Sequence, residues 1–108
     1  MKGNLLNLMS ILKVFDLRFL GDKECEILVG VDPNNFDEVV IASEKLLIPE
    51  FETFSLEAKN KLSSLLSMLD EFSDKELDAL FSKADLAFQT ELTNKRQFLL
   101  AIRNALAA

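Results

Sequence analysis

The sequence predicts an all-α fold, a compact antiparallel bundle of five or six helices, with residues 1–108 forming a single helical domain. Three observations predict it. Apolar residues recur at steps of three and four through most of the chain, helix-capping residues stand where those runs begin, and no repeat, low-complexity tract or Gly/Ser linker interrupts them. At 49% apolar and 28% charged the composition is that of a globular chain, and 108 residues suit one core better than two.

Residues 4–20 are predicted as a first helix. Leu5, Leu8, Leu12, Phe15 and Phe19 share one face, with Leu6, Ile11, Val14 and Leu17 elsewhere around the turn. A helix apolar on most sides belongs in a core. Lys2 before an apolar run raises the question of a signal peptide, but Lys13, Asp16 and Arg18 break the run and no small-residue cleavage site follows. The run is too short in uncharged residues to span a bilayer, so burial rather than membrane contact is expected. Gly21 and Asp22 end this helix.

Residues 24–42 admit two readings. Cys25, Ile27, Val29 and Val31 alternate as in a strand that could pair with residues 36–42 across the turn at Asp32-Pro33-Asn34-Asn35, giving an α+β alternative with one hairpin. The preferred reading is two helices, the second capped by Asp32 or Asn34 and carrying a stripe of Phe36, Val39, Val40, Ser43, Leu46 and Leu47 up to Pro49.

The stretch 55–76 has the clearest pattern, and the rest of the chain is expected to pack around it. Leu56, Leu62, Leu65, Leu66, Leu69 and Phe72 form its stripe, with Ser55 as N-cap. Ser73 and Glu76 then make a capping box, flanked by Phe72 and Leu77 as a hydrophobic staple, so a new helix starts there and continues through Leu80, Phe81, Ala84 and Phe88 to about Gln89. Thr90 or Thr93 is expected to cap a last helix containing Phe98, Leu99, Ile102, Ala105 and Leu106.

The residue inventory argues against catalysis. There is no histidine, which removes the commonest general base and metal ligand together. Cys25 stands alone between Glu24 and Glu26, whose charge disfavours a thiolate, so it reads as a small core residue, and no disulfide or oxidising compartment is implied. Asp32-Pro33-Asn34-Asn35-Phe36-Asp37 opens like a calcium loop, but Phe36, Asp37 and Ser43 fall where an oxygen donor, the turn glycine and the bidentate glutamate belong. With only Gly3, Gly21 and Gly30 there is no phosphate-binding loop. Lys95, Arg96 and Arg103 are too sparse for a nucleic-acid footprint. No enzyme activity, cofactor or metal is expected.

Charge is the informative feature. The net charge is −6, but residues 21–58 hold ten acids against Lys23 and Lys45, a local −8, while residues 1–20 carry +2 and residues 59–108 balance at zero. Such a surface repels nucleic-acid backbones and attracts basic proteins. The expectation is an acidic, cytoplasmic binding protein that neutralises a basic partner, foremost an immunity protein or antitoxin occluding the substrate groove of a nuclease toxin. Asp37, Glu38, Glu44, Glu50 and Glu52 would face that partner, with Phe51 or Phe54 as apolar anchor. One alternative is a helical assembly or chaperone subunit that completes its core by oligomerising; another is an acidic nucleic-acid mimic that inhibits a nucleic-acid enzyme.

Overall fold

Two predicted helix starts are found in place. Ser55 Oγ accepts the amide of Ala58 at 3.1 Å, and Ser73 Oγ accepts that of Glu76 at 3.1 Å while the Glu76 carboxylate accepts the Ser73 amide at 3.1 Å. Each bond satisfies an amide that a helix start would otherwise leave open. The computed structural model describes residues 5–107. Lys2, which opens the N-terminal apolar run, lies outside them.

Among the described residues six α-helices follow one another: α1 (Met9–Leu12), α2 (Asp22–Val29), α3 (Phe36–Phe51), α4 (Leu56–Ser67), α5 (Asp74–Phe81) and α6 (Lys95–Ala107). Turns of 3-10 helix at Leu5–Leu8 and Lys13–Phe15 extend α1 into one helical rod, and a third at Leu69–Glu71 follows α4. Among the described residues no strand forms, and the only extended pairing is an isolated bridge between Asp16 and Leu86. The hairpin alternative for residues 24–42 is thereby replaced by α2 and the first half of α3. The radius of gyration, 12.9 Å, matches the roughly 13 Å expected of a compact chain this long.

The element at the centre is α6 rather than α4. Its Phe98, Leu99, Ala101, Ile102 and Ala105 are buried, and it packs against α3 most extensively, then against α4 and α5. Small residues explain the close approach: Ala42 and Ser43 on α3 and Ala101 and Ala105 on α6 are all buried, so the two backbones can come near each other. At the start of α6 the Phe98 ring meets Phe15, Phe81 and Phe88 edge-on, at centroid distances of 5.4, 5.8 and 5.7 Å. This phenylalanine hub ties the N-terminal rod, α5 and the 82–94 connector to one helix. The cations of α6 also close the structure. Arg96 donates to the carbonyls of Leu69 and Phe72 and pairs with Asp74 at 3.1 Å, so it caps the chain end that leads into α5.

Several boundaries differ from the sequence pattern, each for a local reason. The first helical run stops at Phe15, because Asp16 turns extended (φ −98°, ψ 127°). Its carboxylate is fully buried and accepts the backbone amide of Arg18 at 2.9 Å, the Arg18 guanidinium at 2.7 and 3.0 Å, and the amide of Asp85 at 3.1 Å. The break turns Phe19 outward, 64% exposed, although the heptad-like spacing put it on the buried face. The same linkage ends α5 at Phe81 instead of near Gln89. Asp85 carbonyl accepts from Leu17 at 2.8 Å and Ala87 donates to Phe15 at 2.9 Å, so the chain leaves the helix to pair with residues 15–17.

The caps of α3 and α6 are Asn35, which accepts from Glu38 at 3.1 Å, and Asn94, which accepts from Gln97 at 3.1 Å; the expected Asp32, Asn34, Thr90 and Thr93 do not serve. Asn34 instead fastens the far end of the connector. Its amide donates to Glu91 carbonyl at 2.9 Å and its oxygen accepts the Thr93 amide at 2.8 Å. Pro49 lies inside α3, which continues to Phe51. A proline in the last turn forfeits only one backbone bond, so the helix passes through it. Leu56, first in the α4 stripe and first residue of the helix, is exposed, whereas Leu62, Leu65 and Leu66 are buried.

Candidate protein-binding face

The acidic stretch becomes α2, the turn at 30–35, α3 and the entry to α4. Asp37 and Glu38 fall in the first turn of α3, where negative charge complements the helix dipole. Helical spacing then divides this helix sharply. Val39, Ala42, Ser43 and Leu47 are buried toward α6, while Asp37, Ile41 and Glu44, at steps of four and three, are exposed on the side facing away. Asp37 and Glu44 stand about 10 Å apart along the axis at 1.5 Å per residue. Between them Ile41 is 52% exposed. An isoleucine rimmed by two carboxylates has the make-up of an interface anchor, apolar at the centre and polar at the rim.

The other expected partner-binding residues are placed differently. Glu38 is half-buried and its carboxylate accepts the Asp32 amide at 3.1 Å, so part of its hydrogen-bonding capacity is used internally. Glu50 is exposed but lines a groove on another side of α3, with Lys13, Lys45 and Glu24. Glu52 is exposed at the C-cap beyond the helix. Phe51 and Phe54 are half-buried, their rings 5.6 Å apart and packed against the core, so Ile41 is the more exposed apolar residue among these acids. The sequence reading missed Ile41, although its position outside the α3 stripe and between acids at i−4 and i+3 was a usable signal.

Lys45 is exposed one turn beyond Ile41, but it forms no ion pair with the acids of this face. Ion pairs among the described residues join Arg18 to Asp16, Lys95 to Asp78 and Arg96 to Asp74, and none involves an acid between residues 21 and 58. No group of three or more Cys, Asp or Glu side chains among the described residues is placed to hold a metal ion. Cys25 is half-buried on α2. No helix among the described residues is long and apolar enough to cross a membrane. Comparison with protein-family models, curated proteins and solved structures found no match.

Proposed function

We propose that this chain is a non-enzymatic binding protein whose outward α3 face docks a basic protein partner. The observation that supports it is the exposed Ile41 set between Asp37 and Glu44, in the part of the chain with a local charge of −8. The unpaired acids of α2 and α3 create a negative field that speeds encounter with a cationic surface and orients it. Ile41 then enters an apolar socket on that surface, and the carboxylates meet the lysines or arginines around it. Occluding a cationic groove needs no chemistry from the inhibitor. Immunity proteins and antitoxins that block nuclease toxins work in this manner, and a nuclease with a basic substrate groove is the partner class this face suits.

The test compares capture from native lysate by the wild-type chain, by Asp37→Lys/Glu44→Lys and by Ile41→Asp. The expected result is a basic protein, identified by mass spectrometry, that the wild type retains at low salt and both variants lose. Equal retention by all three would reject the α3 face.

A further inference from the structure

The groove that receives Glu50 differs in character from the α3 outer face. It encloses about 460 Å³ between the end of the N-terminal rod, the start of α2 and the second half of α3. Its charged side chains are balanced, Lys13 and Lys45 against Glu24 and Glu50, in a molecule of net charge −6. Phe19 forms one wall and is the most exposed of the phenylalanines among the described residues, with the Arg18 guanidinium 5.6 Å from its ring centre. Leu17 beside it is 48% exposed. The break at Asp16 is what delivers both side chains to the surface.

We propose that this patch is a self-association surface and that its occupant is a second copy of the chain. A two-fold contact requires one surface to be complementary to itself. This one has an apolar projection, Phe19, beside an apolar recess at Leu20 and Leu46, and equal numbers of both charges around them. Across a two-fold axis each lysine can be met by a glutamate of the other copy, and each Phe19 covers the other groove. A strongly basic or strongly acidic partner gains nothing from a rim of zero net charge. Two copies meeting through the α2–α3 acids would repel, whereas here the local repulsion is cancelled. The patch is small, so the dimer is weak and reversible. This inference does not depend on the α3 docking face, since none of Asp37, Ile41 and Glu44 lines the groove.

Sedimentation velocity over a concentration series tests it. The wild type is expected to shift from monomer to dimer, and Phe19→Asp to weaken dimerisation at least about tenfold, as loss of a central aromatic anchor does. Phe19 is exposed, so this variant keeps its fold, which circular dichroism checks. Lys45→Glu and Glu50→Lys supply the charge test: each alone is expected to be monomeric, and an equimolar mixture of the two to form a heterodimer. Ile41→Asp is expected to dimerise like the wild type. A wild type that stays monomeric throughout, an undiminished Phe19→Asp dimer, a mixture that fails to associate, or loss of the dimer in Ile41→Asp would each overturn the proposal.

Discussion

Replacing Asp16 with Asn removes the charge at the junction of the N-terminal rod and the 82–94 connector while keeping its shape. The carboxyl pKa is lowered from 3.8 to about 2, chiefly by the Arg18 side chain, with burial opposing and the Arg18 and Asp85 amides assisting. That shift corresponds to about 2.4 kcal/mol at 1.36 kcal/mol per pH unit. Arg18 is 55% exposed, and screening by water reduces the contribution to about 1–2 kcal/mol. The new amide also turns its NH2 toward two of the four donors that the carboxylate satisfied, adding about 1–2 kcal/mol. Asp16→Asn is therefore expected to lose about 2–4 kcal/mol at pH 7. Because the folded pKa is depressed, the ionic part is present above the unfolded value and disappears as pH falls through about 2. Urea unfolding of wild type and variant at pH 7 and pH 2 isolates this part, since every other carboxylate is common to both proteins. The gap between them should narrow by about 1–2 kcal/mol at pH 2. A gap independent of pH would refute an ionised, charge-paired Asp16.

Asn34→Ala removes the bonds that hold residues 91–94, and is expected to cost about 1–3 kcal/mol and to accelerate amide exchange in residues 89–94 while α3 keeps its protection. Phe98→Ala opens the aromatic hub, and thermal unfolding should show a loss of about 3–5 kcal/mol, a large part of the stability of a domain this size. Ser43 Oγ is buried with no hydrogen-bond partner among the described residues, so Ser43→Ala should raise stability by about 1 kcal/mol in denaturant melts.

The parts of the fold legible in the sequence are those encoded within a turn or two. Ser55 caps α4, Ser73 and Glu76 form the box of α5, and Leu62, Leu65 and Leu66 bury the stripe their spacing describes. What stayed hidden depends on partners more than fifty residues away. Asp16 shows in the sequence only as an acid interrupting an apolar run, yet its contact with Asp85 ends one helix and prevents another from lengthening. Asn34 reads as a turn residue, but its decisive bonds go to Glu91 and Thr93. The central place of α6 is obscured because Ala101 and Ala105 add little to a hydrophobic pattern, yet both are buried in the helix that packs most extensively against α3. For the binding face, the excess of acids was visible from composition, but their division between the outer side of α3, the Glu50 groove and the C-cap is a matter of helical angle. Phe51 and Phe54 stand out in the sequence as large aromatics among acids, but both pack against the core and Ile41 is the more exposed.

The most direct test of the docking face is carboxyl footprinting with a carbodiimide and an amine, read by mass spectrometry, on the chain alone and in complex with its captured basic partner. Labelling of Asp37 and Glu44 should fall at least about fivefold in the complex, while Glu52 and Glu57 label as before, since only the rim of a buried anchor loses its water. Asp37 and Glu44 that label equally with and without the partner would contradict the account.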